Sequence, residues 1–151
     1  MKILTEGHRY ELSNFDNKDA HGQIIQFIEK KTKKIEELVN GDEIMVCGNI
    51  CKFIELYGNG GDCSVISKNE SGVSVICSLE DVKVVTLSTV NDGTTNEEVL
   101  KALINRMNFL QSQFPCRENA IVITKLEESL MWLEKRTTDR NNRNVEGKQL
   151  K

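Results

Sequence analysis

The only proline of this chain, Pro115, separates two segments whose apolar residues recur at the spacing of an α-helix. The apolar residues before Pro115 are four, four, three and four positions apart: Val99, Leu103, Met107, Leu110 and Phe114. The apolar residues after Pro115 are three, four and three positions apart: Ile123, Leu126, Leu130 and Leu133. Because the residue before a proline is disfavoured in the helical region, the first helix must end near Phe114. Two helices joined by so few residues pack antiparallel, so the pattern predicts a helical hairpin.

The ends of both helices are expected from local signals. Thr95, followed three residues later by Glu98, has the pattern of a capping box and starts the first helix near Asn96. The second helix should run from about Arg117 to about Asn141.

Apolar residues outside the main stripe indicate that the hairpin needs a cover. Met131 and Trp132 broaden the second stripe beyond one face. Trp132 is therefore expected to pack in a core or an interface rather than to stack on a nucleotide base. The combined apolar surface exceeds what one hairpin hides, so a sheet or another protomer should cover the rest.

The chain before the hairpin has a strand-like pattern. Short β-rich runs separated by turn residues are expected at His8–Leu12, Gln23–Glu29, Glu43–Cys47, Cys51–Leu56, Ser64–Ser67, Gly72–Cys77 and Val82–Leu87. The charged run EKKTKKIEE, residues 29–37, is expected to be a solvated hairpin tip or connector. These patterns predict an α+β fold, with a small antiparallel β-sheet region over residues 1–90 and a C-terminal antiparallel two-helix hairpin with a basic tail over residues 91–151.

Composition is that of an ordinary globular domain, with 151 residues of which 28% are charged. No apolar run reaches the roughly 18 residues of a membrane span, and the N-terminus lacks a secretory pattern, so a cytoplasmic location without a membrane partner is expected. The odd number of cysteines favours free buried thiols, and their spacing does not suit zinc. They are Cys47, Cys51, Cys63, Cys77 and Cys116. Neither a metal nor a cofactor is expected.

Catalytic motifs are also absent from the sequence. The motif GNGGDCS, residues 58–64, lacks the lysine and the following helix of a phosphate loop and is expected to be a turn. Glu127, Glu128 and Glu134 lie near Lys125 and Lys135, which is typical of a solvated helical face. We therefore expect no catalytic residues and no enzymatic activity.

The C-terminal end of the second helix is basic. Residues 135–151 contain six basic and two acidic residues, whereas the whole chain has a net charge of -3. Arg136, Arg140 and Arg143, at spacings of four and three, should lie along one face. Their guanidinium groups match phosphate oxygens, but cations also pair with the negative end of a helix dipole. The residues alone leave these two interpretations open.

Five short motifs in the helical half resemble a known family. The motifs TTNEEVL, PCREN, ITKLEE, WLEKRT and VEG occur in the order found in the hairpin module of phage Thoeris anti-defence and anti-CBASS sponge proteins. The segments HRYELSNFDN and GQIIQFIEK resemble the N-terminal part of the same family. The resemblance covers about half of the chain. Roughly fifty residues between QFIEKK and TVNDGTT have no counterpart in short members, which favours the longer Thoeris branch.

The resemblance implies a non-enzymatic protein, made in the host cytoplasm during phage infection, that binds an immune messenger and keeps it intact. In the Thoeris branch this messenger is glycocyclic ADP-ribose; the alternative is a cyclic di- or trinucleotide of CBASS, bound in place of this messenger or together with it at a separate site. A messenger-degrading enzyme is the less favoured alternative. The expected partners are this small molecule and further copies of the chain, in a dimer or hexamer, with no DNA or RNA polymer.

The resemblance also implies the ligand contacts. Phe109 would stack on adenine, Asn119 would hydrogen-bond ribose or base, and Arg136 and Arg140 would clamp the pyrophosphate. Two weaker candidates are Arg117 and Thr124. At hairpin spacing, Phe109 could instead be a core residue.

Helix geometry constrains how these residues could share a ligand. Asn119 and Arg136 are seventeen positions apart on the second helix, which corresponds to about 25 Å. This separation is too large for one cyclic nucleotide to contact both. If both bind the same ligand, Phe109 with Asn119 must come from one protomer and Arg136 with Arg140 from another, so that the site lies across an oligomer interface.

Overall fold

The computed structural model describes residues 1–17, 19–58 and 64–150, which divide into two compact units. The hairpin unit comprises Met1–Glu29 and Thr89–Glu146, and the sheet unit comprises Lys30–Ser88 and Gly147–Lys151. Each unit is therefore built from two separate stretches of chain. A division of the chain into domains at residue 90 remains a prediction.

The sheet unit contains an antiparallel five-stranded sheet. Numbered in chain order, its strands are β5 (Glu43–Val46), β6 (Asn49–Tyr57), β7 (Ser64–Lys68), β8 (Ser74–Ser78) and β9 (Val82–Val84). Their order is β8-β7-β6-β5-β9, so four strands form a meander and the last crosses over to pair with the first. The turn between β5 and β6 is tight because Cys47 and Gly48 both have positive φ, at 47° and 82°.

The apolar side chains of this sheet form the core of the sheet unit. Its buried cluster consists of Leu38, Ile44, Val46, Cys51, Phe53 and Val65. The two 3-10 turns, Ile35–Glu37 and Leu79–Asp81, pack Ile35 and Leu79 against this cluster. Alternating burial along β7, with Val65 and Ser67 fully buried, shows that the sheet has an inner and an outer face.

The hairpin unit begins with a three-stranded antiparallel sheet of β1 (Lys2–Thr5), β2 (Arg9–Leu12) and β3 (Gln23–Gln26), in that order. The segment before the first helix lies close against the end of β3. Thr94 N–H donates to Gln26 O at 2.8 Å, and a Cβ on Gly93 would lie 2.4 Å from that same oxygen. Only glycine allows this approach.

Helices α1 (Asn96–Gln113) and α2 (Arg117–Asn142) form the predicted hairpin. The Thr95 hydroxyl accepts the Glu98 N–H at 3.3 Å, which is half of the expected capping box. The Glu98 carboxylate instead pairs with Lys101 Nζ at 3.0 Å. At the start of α2, Cys116 Sγ accepts the Asn119 N–H at 3.4 Å. The predicted first and last residues of both helices are confirmed within one residue.

Packing between the helices follows the predicted stripe in α2 more closely than in α1. The four stripe residues of α2 are half-buried: Ile123, Leu126, Leu130 and Leu133. In α1, Val99, Met107 and Leu110 are half-buried, but Leu103 is 46% exposed, and Phe114, the residue that follows α1, is 78% exposed. Neither helix has a buried residue.

The two remaining strands, β4 (Glu29–Thr32) and β10 (Leu87–Asn91), pair with each other. The interpretation of residues 29–37 as a solvated tip or connector is therefore incomplete, since the run contains β4 and a 3-10 turn. The predicted strand Val82–Leu87 is divided between β9 and β10, and β1 was not predicted. The α+β class, with antiparallel sheets followed by two helices, is confirmed.

Two of the cysteines differ from the expectation of buried thiols. Cys47 and Cys116 are exposed, because one lies in the β5–β6 turn and the other caps α2. Cys51 is buried and Cys77 is half-buried. Cys63 and most of the predicted turn at residues 58–64 lie outside the described residues. No helix in the described part of the chain is both long and apolar enough to span a membrane.

Candidate functional site

The predicted ligand residues lie at two ends of the hairpin. The turn end, where α1 meets α2, carries Phe109, Arg117, Asn119 and Thr124. The open end, where α2 finishes beside the start of α1, carries Arg136 and Arg140. All six residues belong to the hairpin unit.

Phe109 is available for stacking at the turn end. Its side chain is 53% exposed, which argues against the alternative interpretation as a core residue of the single chain. The Arg106 guanidinium carbon lies 5.6 Å from the centre of the Phe109 ring, within the range of a cation–π contact. Sequence reasoning did not single out Arg106, although a spacing of three places it on the same helix face as Phe109. A planar ligand on this ring would therefore meet a cation as well.

The polar residues of the turn end differ in the hydrogen bonds that they already make within the chain. Asn119 is half-buried, and its Nδ2 donates to Phe114 O at 3.4 Å. The Thr124 hydroxyl donates to Ala120 O at 3.1 Å, so it can still accept a hydrogen bond. Arg117 is exposed in the first turn of α2. Together these groups offer amide, hydroxyl and guanidinium contacts within about two turns of α2.

The open end contains a shallow depression of about 660 Å³ formed by both helices and the chain after α2. Its lining includes Thr95, Glu97 and Lys101 from the start of α1, with Glu134, Arg136 and Arg140 from α2. The side chain of Arg136 is exposed and makes no hydrogen bond or ion pair with the described residues. It is therefore the cation of this depression that is most available to an anion.

Arg140 is held by the chain that follows α2. Val145 N–H donates to Arg140 O at 3.1 Å and Asn144 N–H to Asn141 O at 2.9 Å, with Asn144 at a φ of 54°. These two bonds and the left-handed residue form a Schellman motif, which reverses the chain direction. The reversal brings Glu146 Oε2 to 2.7 Å from Arg140 Nε, while Arg140 Nη2 donates to Val145 O at 2.7 Å.

The arginines of the basic helix end thus have different environments. Arg143 Nε donates to Asp139 O at 3.2 Å, and Arg140 donates to a carbonyl just past the helix. Both contacts fit the interpretation in which cations pair with carbonyl groups at the negative end of a helix. The side chain of Arg136 has no such contact with the described residues. Pairing with the negative helix end therefore accounts for Arg140 and Arg143, and Arg136 is the arginine that fits phosphate binding.

Comparison with known proteins shows what the hairpin is similar to. Residues 80–138 match the family model described as Acb2/Tad1, hairpin domain. Over these residues the chain is similar to an Acb2/Tad1 hairpin domain. The chain is also 41% identical, over 92 residues, to "Thoeris anti-defense 1" of Bacillus phage SBSphiJ7. That match covers 60% of this chain and 64% of the relative. The resemblance to the Thoeris anti-defence family is confirmed.

Five of the six predicted ligand residues lie within the residues that match the Acb2/Tad1 hairpin domain. The matched residues include Phe109, Arg117, Asn119, Thr124 and Arg136. They end before Arg140 and before Glu146, which holds it. Sequence reasoning missed Glu146 as well, although Asn144 and Gly147, both with positive φ, signal a chain reversal there. The Arg140 environment therefore depends on residues just outside the matched domain.

The side chains that the hairpin presents are of types that bind ligands. Within the described residues, no group of three or more His, Cys, Asp or Glu side chains is placed to hold a metal ion. Of the three acids considered for catalysis, Glu128 pairs with Lys125 at 2.8 Å and Glu134 lines the depression at the open end. The groups that the hairpin does present are an exposed ring, amides, hydroxyls and guanidinium groups, which recognise bases and phosphates.

Proposed function

We propose that this chain is a phage anti-defence protein that sequesters, without cleaving, a cyclic ADP-ribose-type messenger of Thoeris immunity, namely glycocyclic ADP-ribose. The observation that carries the proposal is the presence, on a hairpin that matches the Acb2/Tad1 hairpin domain, of an exposed aromatic ring at one end and the exposed Arg136 guanidinium, with Arg140 beside it, at the other. A ring and an arginine pair are the contacts that an adenine and a pyrophosphate require. The name of the similar phage protein supports the Thoeris assignment.

The two ends act on one ligand only if two copies of the chain meet. Asn119 and Arg136 both lie on α2, about 25 Å apart along its axis. In our proposal, the turn end of one protomer faces the open end of another, and each shared site contains Phe109 with Asn119 from one copy and Arg136 with Arg140 from the next. Arg117 and Thr124 complete the contacts at the turn end.

A second apolar face on α2 supports this association. Ile121 is 49% and Trp132 57% exposed. At about 100° per residue, these two lie within about 20° of each other around the helix, whereas Leu130 of the inner stripe lies on the opposite side. An exposed apolar stripe opposite the packed stripe is typical of a helix that packs on both faces. The expected cover is the same stripe of another copy.

The function is tested by titrating the protein with glycocyclic ADP-ribose, other cyclic ADP-ribose isomers, and cyclic di- and trinucleotides in a calorimeter. Tight binding of a cyclic ADP-ribose isomer and release of the intact molecule after heat denaturation are expected. Tighter binding of the cyclic oligonucleotides would transfer the proposal to CBASS messengers. Fragments in the released material would identify a degrading enzyme and overturn it.

Sharing of the site is tested separately with two variants, Asn119→Ala and Arg136→Ala. Each alone should lose messenger binding, because each removes one half of every site. After mixing and exchange of protomers, half of the pairs are mixed and each mixed pair has one intact site, so about a quarter of the wild-type sites should return. Verified mixed oligomers that do not bind the messenger would reject the shared site, while the titration of the wild-type protein still decides the function.

A further inference from the structure

The depression at the open end is not the strongly positive surface that a simple phosphate site would have. It is lined by three carboxylates and three cations: Glu97, Lys101, Glu134, Arg136, Arg140 and Glu146. Equal numbers of opposite charges give little net attraction for an anion. A site with this lining must discriminate among anions by something other than their charge.

The carboxylates are placed against the cations. Glu146 Oε2 lies 2.7 Å from Arg140 Nε, and the Arg140 side chain is only 17% exposed while Glu146 is 44% exposed. The pKa of Lys101 is raised, first by its hydrogen bond to Glu98 and further by the negative charges of Glu98, Glu134 and Glu97. Two of the three cations thus already have a negative neighbour in the free protein.

Glu146 is held in this position by the backbone. The Schellman motif at the end of α2 fixes Asn144 and Val145, and the Val145 carbonyl accepts a hydrogen bond from the same guanidinium group. Glu146 is therefore a built part of the depression and approaches Arg140 through an ordered turn. A phosphate that binds Arg140 must come close to this carboxylate.

We propose that Glu146 is a specificity-determining residue of the open end, which admits a phosphate only when the same ligand brings sugar hydroxyl groups to the neighbouring carboxylates. This inference rests on the proposed function, because it concerns the same arginines. A bare polyanion meets Glu146 as a like charge, which disfavours it. A ribosyl phosphate offers hydroxyl donors that a carboxylate accepts, so its phosphate and its sugar both find partners.

The test compares inorganic pyrophosphate with ADP-ribose, which has the same diphosphate flanked by two riboses. Both are titrated at constant ionic strength into the wild-type protein and into Glu146→Gln, which keeps the side-chain shape and removes the charge. In Glu146→Gln, pyrophosphate should bind about five- to tenfold more tightly. The affinity for ADP-ribose should increase less than the affinity for pyrophosphate. The ratio of the two affinities, which favours ADP-ribose in the wild-type protein, should therefore be smaller in Glu146→Gln.

Two further variants support this test. Glu55→Gln removes one negative charge from an exposed position of β6 and should leave both affinities unchanged. Glu146→Ala, with its fold checked by circular dichroism, should gain affinity for pyrophosphate as Glu146→Gln does. Pyrophosphate affinity that is unchanged or weaker in both Glu146 variants, including no measurable binding by any protein, overturns the inference.

The outcome is independent of the messenger titration. If no cyclic messenger binds but Glu146→Gln gains pyrophosphate affinity, the proposed function fails and the specificity role of Glu146 stands. If the messenger binds tightly to the wild-type protein and Glu146→Gln changes nothing, the function stands and the role of Glu146 is rejected.

Discussion

The two units of this protein bury their apolar residues to different extents. In the sheet unit, Ile44, Val65 and Val85 are fully buried and Phe53 is 4% exposed. In the hairpin, neither α1 nor α2 has a buried residue, and Trp132 is 57% exposed. A unit with its own core can be stable alone, whereas helices without one depend on packing against something else. We therefore expect the sheet unit to be stable by itself and, under the proposed function, the hairpin to be completed by association with another copy of the chain.

The largest expected effect tests the first half of this comparison. Phe53→Ala removes a buried ring from the core of the sheet unit and should lower the free energy of unfolding by about 3–5 kcal/mol. Urea unfolding followed by circular dichroism measures the loss. Tyr57→Ala is the matched control, because Tyr57 lies on the same strand and is 69% exposed. A loss below about 1 kcal/mol for Phe53→Ala would show that this cluster is not the core on which the unit depends.

The hairpin was more predictable from the sequence than the β-strands were. The α1 and α2 bounds followed from Thr95, Pro115 and the apolar spacing, because helix signals are local. The β-region was less predictable: β1 was missed and residues 29–37 contain a strand, since a charged strand such as EKKT is set by its pairing with β10 and not by its own pattern.

The candidate site shows the same limit. The six ligand residues came from motif resemblance, and the separation of Asn119 from Arg136 came from helix geometry alone. The contact between Glu146 and Arg140 could not be read in this way, because it depends on the left-handed backbone of Asn144 and the reversal that follows. The contact of Arg106 with the Phe109 ring likewise depends on side-chain conformations that the sequence does not state.

A second prediction tests the other half of the comparison, the dependence of the hairpin on association. Ile121→Glu puts a charge on an apolar side chain of the exposed stripe of α2, 49% exposed, and should weaken self-association at least tenfold while changing the unfolding of the dissociated chain little. Sedimentation measures the association. The fluorescence of Trp132, the only tryptophan, should move to longer wavelength as the wild-type protein is diluted.

Ser129→Glu is the control for that variant. Ser129 is an exposed polar residue of the same helix, and its hydroxyl donates to Lys125 O. The same added charge at this position should leave association within about twofold of the wild type. Equal weakening by both variants would attribute the effect to charge in general and would contradict an apolar interface along Ile121 and Trp132.

The smallest expected effect is the acid sensitivity of the sheet unit. Burial alone raises the pKa of Asp42, but hydrogen bonds from Lys33 Nζ and the Val39 N–H outweigh it, so that the pKa lies below its ordinary value. In Glu43, burial is likewise outweighed by hydrogen bonds from Lys148 and Lys52, and the pKa is lowered. A lowered pKa in the folded state stabilises the fold above the unfolded-state pKa, and the stabilisation is lost as pH falls through the folded-state value.

The sheet unit should therefore lose about 1 kcal/mol as the pH falls below about 4, measured by hydrogen exchange at the amides of β5 and β6. Asp42→Asn should lose a similar amount at pH 7 and show a flatter acid dependence, because the titrating carboxylate is gone. The control is Glu128→Gln in the hairpin. Its ion pair with Lys125 is solvent-exposed, and surface pairs contribute little. If acid instead opened the amides of α2 before those of β5, the stability of the sheet unit would not depend on the hydrogen-bonded carboxylates of Asp42 and Glu43.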